Sequence, residues 1–204
     1  MTCPSCIPWQ VGAIYKTSGK LFCGGSILSP KYVMSAAHCF SDGNNLPTEI
    51  DSIEILAGAT NLSDPEATRH DLQHIFEHPS YNQASKTYAH DFAILKLKGE
   101  IGLGPKARQI CLPKPGVEFD RDTEFVQSGW GLTEDGETYP DYLKHIVLNW
   151  VSPEKCESLL EVEVDESTIC AAAELNVFVE YHGTCTGDSG GMILVFTTFL
   201  KLST

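Results

Sequence analysis

The chain has 204 residues, 42% of them hydrophobic, which is enough to bury one sizeable core or two small ones. A formal net charge of −13 excludes a duplex-binding surface, since phosphate recognition needs clustered Lys and Arg, and favours simple solubility. No apolar run reaches bilayer-spanning length. Met1-Thr2-Cys3-Pro4 opens no basic segment followed by an apolar one, so neither a membrane span nor a secretion signal is expected within the chain.

In chain order, short β-rich runs alternate with Gly, Pro, Asn and Asp. They predict strands at residues 11–15, 21–28, 32–36, 53–57, 92–97, 124–127, 145–151 and 177–181, a spacing that suits barrels or a sandwich. One helix is expected over Pro153–Leu160, with Ser152 as its cap and Pro153 at the first helical position, where a missing N–H costs nothing. The Gly- and Pro-rich stretch at 102–116 marks a break between two halves.

Three segments carry chemistry. Gly187-Asp188-Ser189-Gly190-Gly191 sets a serine among glycines, which let backbone N–H groups face an oxyanion. Ser35-Ala36-Ala37-His38-Cys39 offers an imidazole to take the serine proton. His90-Asp91-Phe92-Ala93-Ile94-Leu95-Lys96-Leu97 offers a carboxylate at the mouth of an apolar run, where it could orient that imidazole. Other clusters are weaker. Cys3-Pro4-Ser5-Cys6 has no second cysteine pair at zinc-ligand spacing. His70, His74 and His78 lie in an extended pattern, which sets residues four apart roughly 13 Å from each other, too far to share an ion. Asn61-Leu62-Ser63 has the form of a glycosylation acceptor.

His38, Asp91 and Ser189, in that order, resemble the triad of the chymotrypsin-like (trypsin-like) serine proteases. Pro8-Trp9-Gln10-Val11, Phe22-Cys23-Gly24-Gly25-Ser26, His78-Pro79-Ser80-Tyr81-Asn82, Ile110-Cys111-Leu112-Pro113 and Gly129-Trp130-Gly131 resemble further family positions, so the likeness spans nearly the whole chain. It implies an all-β fold of two antiparallel six-stranded barrels with the second incomplete. A single peptidase domain would cover 1–204, with an N-terminal barrel over 1–110 bearing His38 and Asp91 and a C-terminal barrel over 111–204 bearing Ser189. The active site would lie in the cleft between them.

The resemblance assigns His38 as general base and acid, Asp91 as its orienter and Ser189 as nucleophile. The N–H groups of Gly187 and Ser189 become the oxyanion hole. Gly183 falls at the floor of the specificity pocket, where trypsin-type relatives carry an Asp, so apolar or aromatic side chains are the expected substrates. Asp188 is the residue that relatives pair with a freed N-terminus. Eight cysteines point to an oxidising, extracellular compartment. The family pattern implies Cys23–Cys39 and Cys156–Cys170 bridges, leaves Cys185 unpaired and suggests Cys3 or Cys6 as partner for Cys111. Phe125 and Val195 stand where relatives carry another pair.

Two departures are visible. No Ile-Val-Gly-Gly run exists to supply Asp188 with an ammonium, so an uncompensated carboxylate is expected there. Met192 replaces a family proline, and the resemblance fades from 193 to 204 without the usual closing segments. The expected function is therefore a secreted serine endopeptidase acting through an acyl-enzyme, with a catalytically weak or inactive binding module, or a truncated isoform, as the alternative. Protein or peptide substrates and serine protease inhibitors are the expected partners. No cofactor, metal, nucleic acid or membrane partner is expected.

Overall fold

The computed structural model describes residues 7–41, 49–82, 89–133, 138–161, 163–164, 168–173 and 186–195. Six strands, β1 (Gln10–Tyr15), β2 (Leu21–Ser29), β3 (Tyr32–Ser35), β4 (Ile53–Ala57), β5 (Thr68–Glu77) and β6 (Ala93–Leu97), close into a barrel of order β1-β2-β3-β6-β5-β4. All neighbouring pairs are antiparallel. Alternation decides which side chains fill it: Ala93, Leu95 and Leu97 of β6 point inward with Ile53 and Ile55 of β4, Val11 and Ala13 of β1, Val33 and Leu72.

A second buried cluster explains why β1 and β4 read as nearly continuous apolar runs. Ile14, Leu21 and Leu56 point the other way, onto Ala59 and Trp130. Trp130 is 1% exposed and its Nε1–H donates to the Thr60 carbonyl, so one indole seals the seam between the barrel and the chain that follows. Gln10 crosses the same seam, its Oε1 accepting from Ser128 Oγ at 2.9 Å with both side chains buried. The main chain adds Arg108 N–H to the Pro8 carbonyl and Ile110 N–H to that of Ile27, which strap the 108–110 segment along the barrel.

Beyond the seam, β7 (Glu124–Gly129), β8 (Lys144–Val151), β9 (Cys170–Ala172) and β10 (Ile193–Val195) form a four-stranded antiparallel sheet of order β10-β7-β8-β9. A closed barrel with an open second sheet is the expected architecture. Helix α1 (Pro153–Leu160) begins as its sequence foretells, with Ser152 Oγ accepting the Lys155 N–H and Pro153 in the first turn, and it ends at Glu161 in a left-handed conformation.

Several expectations change. β5 is a ten-residue strand that the apolar pattern does not reveal, because among its residues only Leu72 is buried; ladders to β4 and β6 hold it instead, with a bulge between Leu72 and His74. β6 starts at Ala93 and not at Phe92, because His90 sits at φ 59° and its carbonyl accepts the Phe92 N–H, turning the chain one residue later. Ile193–Val195, at the start of the segment expected to lose the family pattern, form β10 against β7, and residues 196–204 lie outside the described residues. There Val195 lies directly opposite Phe125, the two positions where relatives carry a cysteine pair, so an apolar contact takes the place of a cross-link. Cys111 is a free, exposed thiol and not half of a bridge to Cys3 or Cys6. Cys3, Cys6, Gly183, Cys185 and the strand expected at 177–181 lie outside the described residues. Among the described residues, no helix is long and apolar enough to cross a membrane.

Candidate active site

β3 delivers the imidazole. After Ser35 the chain passes through extended Ala36 into a short 3₁₀ turn, Ala37–Cys39, that is anchored on both sides by the fully buried Ala37 and Phe40. His38 is thereby held at the surface between two core residues. Cys39 is bridged to Cys23 of β2, which ties this turn to the barrel wall. Asp91 arrives at the entrance to β6, which pairs with β3, so the register of two adjacent strands brings the carboxylate to the imidazole.

The contact is two-pronged. Asp91 Oδ1 accepts the backbone N–H of His38 at 2.8 Å, and Oδ2 lies 2.6 Å from His38 Nδ1. An ionised carboxylate only accepts, so Nδ1 carries the hydrogen and the Nε2 lone pair is left free to act as a base. The bond to Asp91 raises the His38 pKa, partly opposed by burial. Burial works against ionisation of Asp91, but the side-chain and backbone bonds from His38, aided by the Ala37 N–H, outweigh it and hold the carboxyl below its ordinary value.

The serine turn is fixed by the next residue of β2. Gly24 N–H donates to the Ser189 carbonyl at 2.7 Å, and Ser35 Oγ donates to the Gly24 carbonyl at 2.7 Å. Adjacent residues of one strand thus hold both parts: Cys23 the histidine turn, Gly24 the serine turn. In consequence the Cys39 sulfur lies 3.8 Å from His38 Nε2 and 3.9 Å from the Ser189 carbonyl oxygen. Among the described residues, Ser189 Oγ makes no hydrogen bond to His38.

Glycine is required where the turn is tightest. Gly190 sits at φ 81°, and a Cβ there would meet Ser35 Oγ at 2.2 Å and the Gly24 carbonyl at 2.6 Å. Asp188, expected to be uncompensated, accepts the Gly131 N–H at 2.7 Å. Its carboxylate lies against the backbone of Gly129 and Gly131, where any side chain would collide with it, which is the physical content of the Gly129-Trp130-Gly131 motif. Leu132 N–H to the Thr186 carbonyl closes the same contact. Gly187, at φ 103°, is buried against Gly131, Tyr139 and Leu21.

Ligand-type atoms of Cys23, His38 and Cys39 lie within 4.8 Å of one another. Both sulfurs are spent in the disulfide, which leaves one imidazole and no chelate for a metal. Of the histidines raised as a possible cluster, His70 Nε2 lies 2.8 Å from Thr68 Oγ1, His74 packs on Phe76, and His78 stacks on His90 at 4.6 Å. The bridge Cys156–Cys170 lies away from this cluster, joining α1 to β9. Sequence reasoning missed Ser35 and Gln10 as supports of the site. Both are polar residues at buried positions, 4% and 2% exposed, at the ends of otherwise largely apolar strands, which is the signal that could have marked them.

A closed antiparallel barrel abutting an open sheet, with a histidine–aspartate pair beside a glycine-bound serine, defines a chymotrypsin-fold protein of serine-protease type. The Trypsin family model matches residues 3–198, and the chain belongs to that family. It is 31% identical to ovochymase-2 of Mus musculus over 193 residues, covering 92% of this chain and 30% of that protein. It is 29% identical to phenoloxidase-activating factor 1 of Holotrichia diomphalia over 212 residues, covering 95% of this chain and 56% of that protein. The chain thus spans 30% of the first of these curated relatives and 56% of the second. Its fold is similar to that of neuropsin, a serine protease expressed in the limbic system of mouse brain, with a TM-score of 0.79 and 25% identity over 95% of this chain and 79% of that one. At family level these are hydrolases that act on protein or peptide substrates.

Proposed function

We propose that this chain is a secreted serine endopeptidase in which His38, Asp91 and Ser189 act together, in a single peptidase domain whose 1–110 barrel bears the first two and whose 111–204 part bears the third. The observation that carries the reading is the shared anchorage on β2, where Cys23 and Gly24 hold the His38 and Ser189 turns side by side. His38 Nε2 takes the proton of Ser189 Oγ as that oxygen attacks the substrate carbonyl carbon. The oxyanion accepts hydrogen bonds from the N–H groups of Gly187 and Ser189. His38 then gives its proton to the departing amine, and water releases the acyl group by the reverse sequence. Asp91 keeps the imidazole in the tautomer this requires. Asp188, braced on Gly131, orients the oxyanion turn and is the position where a freed N-terminal ammonium would bind. Gly183 offers no carboxylate at the pocket floor, so apolar or aromatic side chains are preferred over Arg and Lys, whose charge would be desolvated without a partner. Serine protease inhibitors would occupy the same groove.

One observation favours a second reading, a protease-like binding module without turnover: Ser189 Oγ is not hydrogen-bonded to His38 here. A panel of fluorogenic peptides varied at the residue before the scissile bond separates the two. The endopeptidase reading expects turnover on apolar or aromatic peptides, falling by about 10⁶ in Ser189→Ala. A folded chain that cleaves none of them supports the module instead, and cleavage untouched by Ser189→Ala refutes Ser189 as the nucleophile.

A further inference from the structure

The turn after β4 holds a feature that catalysis does not use. Asn61 Oδ1 accepts the Ser63 N–H at 2.7 Å, which fixes the side-chain amide, and among the described residues Asn61 Nδ2 donates to nothing. Ser63 is exposed. The turn is rigid on all sides: Asp64 N–H returns to the Asn61 carbonyl, Leu62 packs into the Trp130 cluster, and Lys106 bonds both Asp64 and Glu66. Asn61 also forms an antiparallel bridge with Tyr142, whose side chain is 55% exposed. Directly opposed residues have Cβ atoms about 4.5–5.5 Å apart, so the two side chains leave neighbouring backbone on the same face.

We infer that Asn61 carries an N-linked glycan whose first N-acetylglucosamine rests on the face of Tyr142. Asn61-Leu62-Ser63 supplies the acceptor sequence. The fold supplies what a chance acceptor would lack: a hydrogen-bonded turn on which, among the described residues, Nδ2 is unbonded, and a neighbouring aromatic side chain that is 55% exposed. In the modification the Asn61 nitrogen bonds to the anomeric carbon of a lipid diphosphate-linked oligosaccharide. The anomeric carbon–oxygen bond breaks, the lipid diphosphate leaves, and the amide gives up one proton. Two disulfides place the chain in the compartment where that donor and its transferase operate. The apolar face of the sugar then shields the Tyr142 ring from water, as stacked rings do elsewhere.

The full chain, routed through a eukaryotic secretory pathway by an added leader, tests this independently of any peptidase activity. Peptide mass mapping is expected to find Asn61 glycosylated in the wild type and in Ser63→Thr, and unmodified in Asn61→Gln and Ser63→Ala. Deglycosylation is expected to lower the wild-type Tm by about 2 °C, the effect of a loss below 1 kcal/mol in a chain of this size. It should leave that of a glycosylated Tyr142→Ala variant unchanged. An unmodified Asn61 in the secreted wild type overturns the site. Equal Tm losses with and without Tyr142 overturn the stacking.

Discussion

Gly190→Ala is the most searching perturbation of the scaffold beneath Ser189. A methyl at this position would lie 2.2 Å from Ser35 Oγ, 2.6 Å from the Gly24 carbonyl and 2.9 Å from the Ala36 nitrogen. The serine hydroxyl could rotate away, but the other two atoms are backbone, one in the paired strand β2 and one where β3 passes into the histidine turn, and cannot. Two costs add: about 1–2 kcal/mol for a non-glycine residue in the left-handed region and about 1–3 kcal/mol for overpacking. The sum, about 2–5 kcal/mol, is a large part of the roughly 5–15 kcal/mol that holds a domain together. The expected fall in Tm is about 4–20 °C at the usual sensitivity for a chain of this length. Where the chain relieves the clash by shifting the turn, Ser189 moves as well, and a displacement of about 1 Å lowers reactivity by about 10². Gly19→Ala is the control. Gly19 has a comparable φ of 66° with nothing within 4 Å of its Cβ position, so it reports conformational strain alone. Differential scanning calorimetry of both variants, with the rate of acylation of Ser189 by a serine-directed probe, measures both effects. If Gly190→Ala loses no more stability than Gly19→Ala and labels at the wild-type rate, the steric argument is wrong.

Asp91→Asn should reduce kcat by about 10⁴, because the amide no longer enforces the Nδ1–H tautomer. Since His38 must be neutral to accept a proton, the acid limb of the pH–rate profile of the wild type should lie above 6.5 and move to lower pH in this variant. The raised His38 value stabilises the fold below 6.5 and that contribution is lost as pH rises through the folded value, whereas the lowered Asp91 value stabilises above 3.8 and is lost as pH falls; Tm against pH should show both slopes in the wild type and neither in Asp91→Asn. Replacing Cys23 and Cys39 together by Ala opens a bridge with a sequence separation of 16, which should cost about 3 kcal/mol, read by urea unfolding, and should slow labelling of Ser189. Ser152→Ala removes the cap of α1 and should cost about 1 kcal/mol in the same assay, with labelling of Ser189 unaffected.

What the sequence disclosed follows from where its physics is local. β6 announces itself by inward alternation, β4 by a nearly continuous apolar run, and α1 by Ser152 and Pro153 at its start. β5 is silent because it is held by backbone ladders on both sides while nearly all its side chains face water. β9 and β10 are three residues each, too short for any period to show. The chemistry-bearing residues are legible as His38, Asp91 and Ser189 from their flanking motifs. Their supports are not. Ser35, Gln10 and Gly131 act through partners far along the chain, such as Gly24, Ser128 and Asp188, and only the folded backbone brings those together.

The peptidase reading rests on Ser189 being a nucleophile activated by His38. Incubating the purified chain with a serine-directed acylating probe and locating the adduct by peptide mass mapping tests it most directly. Stoichiometric adduct on Ser189, absent in Ser189→Ala and slowed by at least about 10³ in His38→Ala, is the expected result. A folded chain that takes up no probe at Ser189, or one labelled just as fast without the His38 imidazole, would contradict it.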